Sequence, residues 1–322
     1  MEGSRSPAAE GLRVGWQDVP ERIRAAVEGW LGTPVVSATN QSAGFSPGTA
    51  ARLRTADGQK VFAKAAGPEP NALTPAVHRR EAVVAAALPD EAPVPRLLWS
   101  HDEGESGWVV LLFEDIEGRN PTVPWRDEEL GRTLVALSDL SDLLTPSPLP
   151  PCGVVGHASE WGVVGGRYWR KLAEERPAGL DAWSERNLSA LADLEAQAPA
   201  AAAGETLLHL DLRADNLLLT PQRVLVVDWP HARVGAPWVD AAFFAPSVAM
   251  QDGPQPEELM ERFSQARHAD PEALTAVVAA VAGFFTGEGL RPAPAGLPTL
   301  RAFQVAQGEV ARSWLARRTG LK

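Results

Sequence analysis

The chain has 322 residues and a net charge of −11, with 45% apolar and 22% charged side chains. Those proportions suit one large folded domain or two lobes and exclude a disordered or fibrous chain. The acidic balance argues against a surface built for nucleic acid, which needs a basic face. The single cysteine, Cys152, excludes an internal disulfide or a cysteine metal site.

The opening stretch MEGSRSPAAEG lacks the apolar core of a signal peptide, and residues 1–18 read as a flexible N-terminus. The apolar run 276–285 is too short to span a bilayer and reads as a core helix. A cytoplasmic protein is expected, with neither membrane nor nucleic acid as partner. In residues 19–32, Ile23, Val27, Trp30 and Leu31 recur at helical spacing before a stop at Gly32. Strands are expected at 35–40, 48–55 and 59–66, the last two joined by the Asp57-Gly58 turn. A helix over 75–88 stops at Pro89, and strands at 95–103 and 107–116 follow. Residues 19–117 thus form a first lobe of antiparallel strands with one long internal helix. Residues 118–322 form a larger, mostly helical second lobe. Its expected helices span 125–144, 159–176, 184–197, 256–268, 271–285 and 298–318, with a linker at 198–205 and two strands around 217–228.

The chemistry concentrates in those two strands. HLDLRADN, residues 209–216, has the form H-x-D-x-x-x-x-N, and VLVVD ends on Asp228. Phosphoryl transfer needs positioning and charge neutralisation more than covalent help. Asp211 can orient an attacking hydroxyl. The Asn216 carbonyl oxygen and the Asp228 carboxylate are hard ligands for Mg²⁺, and a hairpin over 216–228 would bring them together. Each residue alone has a plainer reading, as a turn, a cap or a strand end. The three together, correctly spaced, point to this chemistry.

The pattern resembles the aminoglycoside phosphotransferase family of the protein-kinase-like superfamily. The family motif, H-G-D-[LF]-x-x-x-N followed by an apolar strand and [IV]-D-[WF], appears here as HLDLRADNLLL and VLVVDW, with Leu210 in place of the usual Gly. The resemblance implies a bilobal α+β fold that transfers phosphate from ATP, or GTP, with Mg²⁺. It makes Gly44, Ser46 and Gly48 the nucleotide-positioning loop and Lys64 the phosphate-binding lysine. The chain has only four lysines, and Lys64 lies within an apolar strand. Glu81 becomes its ion-pair partner, while Glu114 and Ile116 offer backbone groups to the purine. Arg213 corresponds to a residue that touches the transferred phosphate. Asp240, in GAPWVDAAFF, is expected to cap the next helix and brace the catalytic loop. His209 reads as a packed structural histidine and His231 as a loop residue near the substrate side. Trp161, Tyr168 and Trp169 read as core at helical spacing, with lining of the acceptor site as the alternative.

The resemblance implies a small hydroxylated acceptor. An antibiotic is favoured, on the analogy that the Ala-, Arg-, Pro- and Gly-rich, Lys-poor composition suits antibiotic-producing high-GC bacteria. A metabolite such as choline or homoserine is the alternative within the same fold. A protein kinase fits poorly, because DWPHARVG follows Asp228 where D-F-G and an activation segment would stand. A nucleotide-binding scaffold fits poorly too, because the lysine, both aspartates and the asparagine are all present.

Overall fold

The computed structural model describes residues 7, 9–41, 44–45 and 47–322. The first lobe begins with helix α1 (Glu21–Leu31) and strands β1 (Val35–Asn40), β2 (Thr49–Thr55) and β3 (Lys60–Ala66). Helix α2 (Thr74–Ala85) and strands β4 (Leu97–Asp102) and β5 (Val109–Glu114) complete it. The five strands form one antiparallel sheet in the order β1-β2-β3-β5-β4. Strand alternation decides what each face does. Val61, Ala63 and Ala65 of β3 pack with Ile23, Val27 and Leu31 of α1. Phe62 of β3 joins the opposite face, with Leu111, Phe113 and the α2 residues Ala82 and Ala85. Lys64 is two residues on from Phe62 and therefore points to that same face, toward the second lobe.

Residues 10–18, expected to be loose, are instead tied down. Glu10 and Arg13 bridge to Gly44 and Gly48, Thr49 Oγ1 donates to the Val14 carbonyl at 3.0 Å, and Trp16 is buried in the first-lobe core. The segment has no periodicity of its own because it is held through backbone bonds to a loop.

The second lobe contains α3 (Asp127–Leu143), α4 (Tyr168–Glu175), α5 (Ala182–Glu195), α6 (Ala198–Ala201), β6 (Thr206–Leu208), β7 (Leu217–Leu219), β8 (Val224–Val226) and β9 (Arg233–Gly235). It ends with α7 (Val239–Met250), α8 (Pro256–Arg262), α9 (Pro271–Gly289) and α10 (Leu300–Thr319). Helix α9 is apolar on nearly every side and is accordingly the central helix, packed by α4, α5, α6, α7 and α10. β7 and β8 form the expected hairpin, while β6 pairs with β9.

Three expectations fail locally. The helix expected over 159–176 is reduced to α4. Gly162, Gly165 and Gly166 weaken the preceding turns, and Arg167 takes a left-handed φ of 52°. The linker expected at 198–205 opens with α6, whose alanines pack against α9. The helix expected over 256–268 breaks at Phe263, which is extended, with φ −85° and ψ 119°. Among the described residues, no helix is long and apolar enough to cross a membrane.

Candidate active site

The cleft between the lobes holds an ion-pair cluster. Lys64 Nζ lies 2.6 Å from Glu81 Oε1 on α2 and 2.7 Å from Asp228 Oδ1, just after β8. Burial opposes the Lys64 charge, but Asp228 and Glu81 outweigh it and raise the ammonium pKa above its ordinary value. Burial likewise opposes charge on Asp228, and Lys64, with Arg213 and His231 behind it, overcomes that and holds the carboxyl well below the usual carboxylate range. Lys64 and Asp228 therefore stay ionised, while burial raises the Glu81 carboxyl above its ordinary value against the pull of Lys64.

The loop after β6 carries the motif. Asp240, in the first turn of α7, accepts the backbone N–H groups of His209 at 2.9 Å and Leu210 at 2.7 Å. It braces the loop as expected. It does not cap its own helix, whose N-cap position is Trp238. His209 Nδ1 accepts the Asp211 N–H at 3.1 Å, so Nε2 carries the proton and donates to the Val227 carbonyl at 2.9 Å. His209 therefore ties the motif loop to the strand end beside Asp228, which is the structural role read from the sequence. Leu210 and Asp228 both have left-handed backbones, with φ of 62° and 70°. That conformation accounts for a glycine being usual in the family motif where this chain has Leu210.

Asp211 is oriented from both sides. One carboxylate oxygen meets Arg213 Nη1. The other accepts Asn216 Nδ2 at 3.2 Å, and the same amide nitrogen reaches the Asp211 carbonyl at 2.8 Å. Arg213 also pairs with Asp215 through Nε at 3.0 Å and Nη2 at 2.8 Å. Its guanidinium lies over the rings of Phe45 and Phe303, 5.2 and 5.9 Å from their centroids. Three of its nitrogens are thus directed at carboxylates.

Two cavities meet at this loop. The first, about 320 Å³, is lined by Gly44, Lys64, Glu81, Glu114, Ile116, Asn216 and Asp228. These are the residues that the sequence assigns to the nucleotide and metal. The second, about 480 Å³, lies on the other side of the motif and is lined by Asp211, Arg213, His231 and a set of aromatic side chains. Asp228 borders both. Arg213 therefore stands on the second cavity's wall. Trp161 and Tyr168 line the second cavity as well, whereas Trp169 is core, its Nε1 donating to the Ala279 carbonyl at 2.7 Å.

Gly48 does not line the first cavity. A Cβ there would lie 2.7 Å from the Ala65 carbonyl oxygen, at a φ of 127°, so this glycine permits close approach of β2 to β3. Ser46 lies outside the described residues. Sequence reasoning missed Arg13, which lines the first cavity beside Gly44. It also missed Asn120, whose Nδ2 donates to the carbonyls of Asp215 at 3.2 Å and Leu217 at 2.8 Å and so holds the motif from the lobe junction. The bridge between neighbouring Arg119 and Leu219 belongs to the same junction, and no local motif announces it.

The donor set suits Mg²⁺ taken up together with phosphates. The Asn216 amide nitrogen is engaged by Asp211, leaving its carbonyl oxygen for a cation, and Asp228 adds a carboxylate on the same cavity wall. Mg²⁺ commonly uses one or two protein oxygens and completes its shell with phosphate and water. Among the described residues, no group of three or more His, Cys, Asp or Glu forms an all-protein cage.

A five-stranded lobe, a helical lobe and this cleft constellation define a protein-kinase-like fold. The chain matches the phosphotransferase enzyme family over residues 41–277, and it belongs to that family. Solved structures agree on the fold. A thermostable aminoglycoside phosphotransferase variant solved with AMP-PNP and hygromycin B superposes with a TM-score of 0.62 at 15% identity, covering 93% of this chain and 99% of that one. The choline kinase LicA from Streptococcus pneumoniae gives 0.61 at 15% identity, covering 92% and 98%. A choline/ethanolamine kinase family protein from Mesorhizobium loti gives 0.56 at 19% identity, covering 94% of each. No curated protein matches the chain.

Proposed function

We propose that this phosphotransferase moves the γ-phosphoryl group of ATP or GTP, with Mg²⁺, to a hydroxyl of a small molecule, and that the acceptor is an antibiotic inactivated by the transfer. The observation that carries the reading is the meeting of two cavities at Asp228, with Asp211 facing one and Asn216 facing the other. Lys64, held by Glu81, binds the α- and β-phosphates. The backbone at Glu114 and Ile116 takes the purine, and the loop at Gly44 covers the phosphates. Asn216 and Asp228 would hold Mg²⁺, which neutralises phosphate charge.

Asp211 accepts a hydrogen bond from the acceptor hydroxyl and aims its oxygen at the γ-phosphorus. The new oxygen–phosphorus bond forms as the bond to the β,γ-bridging oxygen breaks. The nucleoside diphosphate leaves, and the hydroxyl proton passes to Asp211 and then to solvent. Arg213 and Asn216 hold the Asp211 carboxylate in that attitude.

The choline kinases among the structural neighbours keep a metabolite acceptor as the second reading. A scaffold that binds nucleotide without transfer is disfavoured by the intact, oriented Asp211. Acceptor-dependent release of nucleoside diphosphate tests the proposal. The expected result is release with wild type and none with Asp211→Ala. Release that is the same with and without every acceptor tried would contradict it.

A further inference from the structure

The second cavity specifies the chemical class of the acceptor, an inference that rests on the phosphotransferase reading above. One wall is a single stripe of α10, where Leu300, Phe303, Gln304 and Gln307 recur at helical spacing. Phe45, which packs edge-on against Phe303 at 5.2 Å, lines the cavity too, as do Trp161, Tyr168 and Phe243. Among the described lining residues the only carboxylates are Asp211 and Asp228, and both have assigned work. Among the described lining residues the fixed cation is Arg213, which is committed to Asp211 and Asp215, and burial disfavours the charged form of His231. Asp211 is already paired with Arg213 and Asp228 with Lys64, so a charged acceptor would be desolvated here without an unpaired opposite charge, which is costly.

The aromatic lining does not serve as a cage for a cation either. Such a cage needs open ring faces. Here the guanidinium of Arg213 already lies over Phe45 and Phe303, and Lys171 Nζ lies 5.2 Å from the Tyr168 centroid. Trp161 and Phe243 pack on each other with centroids 5.1 Å apart.

The lining also holds a neutral amide suited to reading an acceptor. Gln304 accepts from Arg301 Nη1 at 2.6 Å. Gln307, only 4% exposed, makes no side-chain hydrogen bond among the described residues and lines the cavity. Its amide opens onto the cavity, where a bound molecule can pair with it. It can both donate and accept, so it fits a neutral carbonyl, hydroxyl or amide. We infer that the acceptor is an uncharged, largely apolar hydroxylated molecule, whose neutral polar group is read by Gln307 while its hydroxyl faces Asp211.

The test is ligand-induced thermal stabilisation of the full chain, with Mg²⁺ and a non-hydrolysable nucleotide present. The probes are two neutral hydroxylated compounds, chloramphenicol and erythronolide B, and two cationic ones, hygromycin B and choline. Stabilisation by a neutral probe and not by the cationic pair is expected. For the neutral compound that binds, Gln307→Leu should raise the dissociation constant about ten-fold, and the KM of any transfer by a similar factor with kcat kept. Gln307→Glu should lose the neutral probe and gain the cationic ones. Stabilisation by hygromycin B or choline alone overturns the inference. So does the absence of any neutral response when the nucleotide itself still stabilises the protein. Absence of nucleotide stabilisation would instead overturn the phosphotransferase site, which separates the two failures.

Discussion

At the scale of single residues, the site depends on a few side chains with distinct work. In the proposed mechanism Asp211 orients the acceptor hydroxyl and contributes little to nucleotide binding. Asp211→Asn should therefore lower kcat by about 10²- to 10⁴-fold with the nucleotide dissociation constant essentially unchanged, as read by steady-state kinetics beside calorimetric titration. Asp228 differs because it borders both cavities and pairs with Lys64. Asp228→Ala should abolish the Mg²⁺-dependent part of thermal stabilisation by nucleotide. Equal stabilisation of variant and wild type would remove Asp228 from the metal set. Leu210 shows two effects in competition. A left-handed backbone costs a non-glycine residue about 1–2 kcal/mol, whereas truncating a buried leucine costs roughly 3–5 kcal/mol. Leu210 is 2% exposed, so Leu210→Gly should destabilise by about 2 kcal/mol in denaturant unfolding, although it restores the family's usual residue. The motif residues were legible because spacing and type together define their chemistry. Arg13 and Asn120 were not, because each reaches the site through tertiary contact alone.

At the scale of elements, period-two alternation was sufficient to place Lys64. Val61, Ala63 and Ala65 turn to α1, and the lysine must take the other face. Helix limits were less legible where glycines or distant partners decide them. Helix α4 starts at Tyr168 because Glu195, at the end of α5, accepts the Tyr168 and Trp169 N–H groups at 2.8 and 2.9 Å. No local cap signals this start. Burial raises the Glu195 carboxyl from 4.5 to about 7, against those backbone donors. The folded protein thus keeps a proton that the unfolded chain releases at lower pH. The resulting stabilisation is complete below pH 4.5 and is lost as pH rises through 7. His78 opposes this trend. Burial lowers it to about 4, so its contribution is present above 6.5 and lost as pH falls through 4. Comparison with Glu195→Gln isolates the glutamate. Denaturant unfolding at a series of pH values should show the wild-type advantage over the variant shrinking as pH rises from 4.5 to 7. A constant difference would contradict the assignment.

At the scale of the whole molecule, the two lobes were legible because strands and then helices follow one another along the chain. The segment of residues 10–18 was not, since its order comes from bonds to the loop at Gly44 and Gly48. The second cavity was not legible either. Its walls come from Phe45 in the first lobe, Trp161 and Phe243 in the second, and Gln307 on the last helix, and no window of sequence contains them together. The Lys64–Asp228 pair spans the cleft and joins the lobes at the place where nucleotide, Mg²⁺ and acceptor would meet. The account therefore stands on transfer across that junction. Mass spectrometry of reactions containing the purified chain, Mg²⁺, ATP or GTP and a panel of hydroxylated compounds tests it most directly, with Asp211→Ala run in parallel. The account predicts a compound that gains one phosphoryl group with wild type and not with the variant. A product formed equally by both, or none from any compound while the nucleotide binds, would contradict it.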